Sequence, residues 1–129
     1  MPPLAVDASP AGAVRLRGAL KPGTVVGAST TAKQRVRIGG AVSVTVIHKL
    51  SAITLTPDLN IRGLGGDATM DEANAATANT SGTATAVMAT AETATVYTTR
   101  GEEYIEVEVA SIAGESATID YIDVLTKRA

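Results

Sequence analysis

What most constrains the fold of this chain is a two-residue alternation of apolar and polar side chains that recurs along most of its length. Val14 and Leu16 alternate with Arg15 and Arg17, and Arg35, Val36, Arg37 and Ile38 repeat the pattern. In residues 41–50, Val42, Val44 and Val46 line one face and Ser43, Thr45 and Ile47 the other. Successive side chains of an extended strand point to opposite faces, so each such run predicts a half-buried strand. The same reasoning predicts strands at 25–26, 53–56, 83–90, 93–99, 104–112 and 117–126. In the clearest of these, Ile105, Val107 and Val109 face inward and Glu106 and Glu108 outward. A strand about every ten residues predicts an all-β, mainly antiparallel domain, a β-sandwich or a small barrel or jelly-roll-like fold, and not βαβ units.

The residues between these runs supply turns. Lys21-Pro22-Gly23-Thr24 is a corner, Gly39-Gly40 breaks a strand and Pro57 stops one. Residues 27–31 and the glycine-rich stretch 60–66 read as loops, the latter flexible. Residues 113–116 are expected to close a hairpin between the strands at 104–112 and 117–126. One short helix is predicted near 69–79, capped by Asp67 or Thr69, with Asp71 and Glu72 at its positive end and Ala73, Ala75 and Ala76 inside. Residues 1–12, with three prolines and no periodicity, read as an extended N-terminal arm on a single β-rich domain spanning 13–129.

Composition limits how the domain is held together. Ala and Thr make 41 of the 129 residues, Val, Ile and Thr together 39, and the only aromatic residues are three tyrosines. A core of Val, Ile, Leu and Ala gains less per side chain than an aromatic one, which leaves room for association to add stability. Charge is divided along the chain. Residues 1–66 hold eight basic and two acidic side chains, residues 67–129 three basic and eleven acidic ones. The two sets are expected on folded faces rather than in tails, either facing each other, within the fold or between copies, or standing as two solvated faces.

No residue set carries a recognisable chemistry. Without cysteine there is no disulfide framework and no thiol or Cys-zinc site. His48 stands alone near a strand end, and no nucleophile elbow accompanies it. Gly63-Leu64-Gly65-Gly66-Asp67 lacks the Gly-Lys-Ser/Thr ending of a phosphate loop. Residues 58–69 fail as a calcium loop, with Arg62 at a ligand position and Thr69 where the bidentate Glu should stand. Glu106 and Glu108, about 7 Å apart at strand rise, could hold a hard cation or serve glycoside hydrolysis. No aromatic platform for a sugar accompanies them, and they read first as a solvated or partner-facing acidic face. The arginine pairs Arg15/Arg17 and Arg35/Arg37 match carboxylates better than nucleic acid, since residues 1–66 offer no aromatic platform for bases. The start of the chain lacks the pattern of a secretory signal, and no run of eighteen apolar residues predicts a membrane span, so Asn79-Thr80-Ser81 reads as a chance sequon.

The proline-containing arm, the Thr-Ala strands of 83–99 and the terminal strands of 103–124 together resemble the small virion proteins of tailed bacteriophages, in style closest to head decoration, or cement, proteins. The resemblance implies a non-enzymatic protein on the capsid surface, assembled in the host cytoplasm. It would bridge major capsid subunits as a homotrimer or homodimer, without cofactor, metal or membrane. The residues expected to make partner contacts are Pro2, Pro3, Leu4 and Val6 of the arm, Arg15, Arg17, Arg35, Arg37, Glu106, Glu108 and Tyr121. Two other readings stay open: a tail, baseplate or fibre-anchoring module, and a β-sandwich that binds a glycan or a cation.

Overall fold

A computed structural model of the protein describes residues 13–66 and 78–128. Two antiparallel sheets bury a common core, the arrangement of a β-sandwich. The first sheet holds β1 (Val14–Arg15), β2 (Val25–Val26), β4 (Ser43–Thr54), β7 (Thr93–Thr98) and β9 (Ser116–Lys127). The second holds β3 (Thr30–Arg37), β5 (Asp58–Gly66), β6 (Ala78–Val87) and β8 (Tyr104–Ser111). The order is β1-β9-β4-β7 in the first, with β2 sharing the β1 edge of β9, and β3-β8-β5-β6 in the second. Between the sheets lie Val44, Val46, Leu50, Ile119, Ile122 and Val124 from one side and Leu59, Ile61, Ile105, Val107 and Val109 from the other. Each of these is at most 1 % exposed. Aliphatic side chains of this size give about 1.5–3 kcal/mol each when fully buried, before the entropy of ordering them.

Four sequence expectations are corrected. The glycine-rich stretch at 60–66 is not a loop but most of β5, a strand hydrogen-bonded on both sides. Leu59 and Ile61 point into the core while Asn60 and Arg62 point away, so its alternation outweighs its glycines. The segment 53–56 is not a separate strand, because β4 runs on through Ile53 to Thr54. Thr30 and Thr31, read as loop, open β3. The hairpin between the last two strands does not form. β8 belongs to one sheet and β9 to the other, and residues 112–115 carry the chain across the sandwich. Of the helix expected near 69–79, residues 69–77 lie outside the described residues, and Ala78 and Asn79 open β6 instead. The N-terminal arm also lies outside them.

The terminal strand has apolar residues of both parities, Ile119 and Tyr121 as well as Ile122 and Val124, and a bulge explains this. In the β4–β9 ladder Lys49 faces Tyr121 and Leu50 faces Ile119, so Asp120 is an extra residue on β9. Ser51 is extra on β4 one step later, between Leu50↔Ile119 and Ala52↔Thr118. Each insertion shifts the strand's facing by one residue. Ala117, Ile119, Ile122 and Val124 are therefore all buried.

Candidate interaction surface

Three of the charged residues expected to contact a partner, Arg35, Glu106 and Glu108, come together on the outward face of the second sheet, placed there by strand register. Arg35 on β3, Glu106 on β8 and Arg62 on β5 form one cross-strand row; Lys33, Glu108, Asn60 and Thr85 form the next. Arg35 Nε lies 3.5 Å from Glu106 Oε2, and Arg62 Nη1 lies 3.7 Å from Glu106 Oε1. Arg62 Nη2 reaches into the next row to Glu108 Oε1 at 2.8 Å. Asn60 Nδ2 donates to the same Glu108 oxygen at 2.9 Å, and Asn60 Oδ1 accepts from Thr85 Oγ1 at 2.9 Å. The result is a continuous polar chain across all four strands. Burial alone would push the Glu108 carboxyl up; hydrogen bonds from Arg62 and Asn60 and the charges of Arg62 and Lys33 outweigh it and hold it below the usual carboxylate range.

The first sheet repeats the scheme on its own outer side. Arg15 grips Asp123 with two hydrogen bonds, Nε to Oδ1 at 2.9 Å and Nη2 to Oδ2 at 3.2 Å, and its guanidinium carbon stands 4.5 Å from the centre of the Tyr121 ring. The Tyr121 hydroxyl donates to Glu92, which together with partial burial pushes the phenol up to about 12. Lys49 pairs with Asp120 at 3.0 Å, and back at the end of β3, in the second sheet, Arg37 pairs with Glu103. Arg17 is exposed and has no ion-pair partner among the described residues. Pro2, Pro3, Leu4 and Val6 lie outside those residues.

Each of these six ion pairs joins a base from residues 1–66 to an acid from residues 67–129. The division of charge along the sequence is thus used within one chain, between strands that the topology makes neighbours. Glu106 and Glu108 are neutralised by arginine, and among the described residues no group of three or more His, Asp or Glu side chains is placed to hold a metal ion. No helix among them is long and apolar enough to cross a membrane.

The surface that the sequence reading missed is apolar and sits at one end of the sandwich. Leu55, after β4, is 67 % exposed, and Ile112, after β8, is 69 % exposed. Leu55 holds a positive φ of 59°, a left-handed conformation that costs a branched side chain energy. Its Cδ1 leans toward Gly114, 3.6 Å from where a Cβ would stand. The two tips are tied together through Glu115. Its side chain accepts from the Ile112 amide at 2.9 Å and from Thr56 Oγ1 at 3.2 Å, and Ser29 N–H donates to the Ile112 carbonyl at 3.2 Å. The available signal was an aliphatic residue at each of two turns, where polar residues and glycine are the rule.

Compared with protein-family models and with curated proteins, the chain matches none.

Proposed function

We propose that the protein is a non-enzymatic virion component that binds the outer surface of a tailed-phage capsid and bridges its major capsid subunits as a homo-oligomer. The observation that carries this reading is the apolar tip formed by Leu55 and Ile112. Two large aliphatic side chains are held toward solvent on connections that Glu115 ties together, one of them in a strained backbone conformation. Strain kept at an exposed position is a recurrent mark of binding surfaces. Because the charged faces are largely neutralised within the chain, contact with a capsid falls to this tip and to residues 1–12 rather than to long-range attraction between opposite charges.

The test is binding of purified protein to capsids that lack it, followed by heating of the particles. Saturable binding and a higher disruption temperature are expected, and the double substitution Leu55→Asn with Ile112→Asn should weaken binding while leaving the domain folded. Deleting residues 1–12 should also weaken it. Equal heat resistance of particles with and without the protein overturns the reading, and label found only at the tail transfers the protein to a tail or baseplate role.

A further inference from the structure

His48 is the chain's one histidine, and its side chain is fully buried on the inner face of β4. Its Nε2 accepts a hydrogen bond from the Ala89 amide at 3.1 Å, so the neutral ring carries its proton on Nδ1. Among the described residues Nδ1 has no hydrogen-bond partner, and neither does Oγ1 of Thr95 on the neighbouring strand β7. Ala89 returns the contact to β4, its carbonyl accepting from Leu50 N–H at 3.3 Å. Met88, just before it, donates its amide to the Pro57 carbonyl at 3.0 Å and packs its side chain into the core. The β6–β7 connection is therefore clamped to β4 through a ring nitrogen that must remain an acceptor.

We propose that His48 is an acid-sensitive latch: a proton taken up at Nε2 releases the 88–92 connection from β4 and loosens the sandwich. Protonation converts the acceptor into a donor aimed at another donor, the Ala89 amide, and places a charge in an apolar core. Nothing among the described residues compensates it. On β4 and β9 the nearby charges Lys49, Asp120 and Asp123 belong to the outward pairs described above. In the connection, Glu92 accepts from the Tyr121 hydroxyl on that outer side. On β7 the one titratable side chain, Tyr97, is engaged with Glu102. Across the core, β5 and β8 present Leu59, Ile61, Val107 and Val109. Burial accordingly holds the ring below the ordinary histidine value of 6.5. The unfolded chain then takes up the proton first, so stability is complete above about pH 6.5 and falls as the pH drops through the lowered folded value.

The experiment is a urea titration between about pH 7.5 and pH 5, a window in which His48 is the one side chain with a reference value. The wild-type midpoint should fall with pH. His48→Gln, which keeps an acceptor but cannot titrate, should be flat. In the wild type, protection of the Ala89 amide from hydrogen exchange should fall about tenfold per pH unit below 6.5, ahead of Val107. Nitrogen NMR should show the Nδ1–H tautomer with a midpoint below 6.5. A wild-type midpoint in urea that ignores pH, the same acid loss in His48→Gln, an Nε2–H tautomer, or a ring midpoint at or above 6.5 each overturns the latch. The NMR titration decides the matter on wild-type protein alone if the variant does not fold.

Discussion

Arg62 and Glu108 are bonded Nη2 to Oε1 at 2.8 Å although they are not opposite one another; Arg62 faces Glu106 in the β5–β8 ladder and Glu108 faces Asn60. One guanidinium thus spans two rows and serves two carboxylates on the same strand. Its planar fork makes that possible, where a lysine would offer a single charged point.

Replacing Arg62 by Met keeps the apolar stem and removes the bridge. Arg62 is still 29 % exposed, so solvent screens part of the loss, and a decrease of about 1–2 kcal/mol in urea is expected rather than the larger cost of a fully buried pair. The Glu108 carboxyl should titrate higher in the variant. Because its folded value is depressed, the stability it contributes is present above the unfolded carboxylate value and is lost as pH falls through the folded one. The variant should show less of this acid loss, as read by unfolding at pH 5 and pH 3, roughly either side of the reference carboxylate value.

Gly82 on β6 packs against Tyr97 on β7. A Cβ there would come within 2.8 Å of the Tyr97 hydroxyl and 3.3 Å of its Cε1. Gly82→Ala should push the ring away from Glu102 and cost about 1–3 kcal/mol. Gly27→Ala, where nothing lies within 4 Å and φ is ordinary, should be neutral or stabilising by up to about 1 kcal/mol. Thermal melts of the two variants side by side test the contrast.

The Tyr121 phenol should ionise near 12 rather than 10, because its hydroxyl is bonded to Glu92. Absorbance titration near 295 nm of the wild type and of Tyr121→Phe isolates this phenol by difference. Glu92→Gln should bring its midpoint down toward 10. The protonated form is the one favoured by folding, so this contribution is present below pH 10 and disappears as pH rises through about 12.

Leu55→Asn should leave stability unchanged or raise it by up to about 1 kcal/mol, since asparagine adopts the left-handed conformation at lower cost than leucine. A loss of more than about 1 kcal/mol would mean that the exposed leucine supports the fold through its contact with Gly114.

Much of the strand pattern was legible, and each error has its own cause. Ile105, Val107 and Val109 on one face with Glu106 and Glu108 on the other followed directly from parity, and the register keeps that division, although Glu106 between its two arginines is itself buried. β5 was misread because glycines were weighed above the Leu59/Ile61 alternation beside them. A central strand tolerates glycine when its neighbours on both sides supply the ladder. The bulge at Asp120 had a trace in the sequence, apolar residues of both parities, but a strand covered on two faces leaves the same trace. The hairpin was expected because its turn sequence is favourable, yet a short connection serves equally well to cross a sandwich. Leu55 and Ile112 went unnoticed because scattered apolar residues in turns are ordinary until a structure brings two of them to one end.

The sequence by itself determined which segments extend and, away from the bulges, which side chains of each share a face, because the two-residue period of a strand is a local property of the backbone. Tertiary structure alone decided which strands are neighbours. Ladder hydrogen bonds are nearly alike for every pairing, and the choice rests on burying Leu59, Ile61, Val107 and Val109 against Val44, Val46 and Ile122 across the sandwich. That choice set the use of the charges. A basic first half and an acidic second half are compatible with contacts between copies or within one, and placing β8 between β3 and β5 put Glu106 between Arg35 and Arg62 of its own chain.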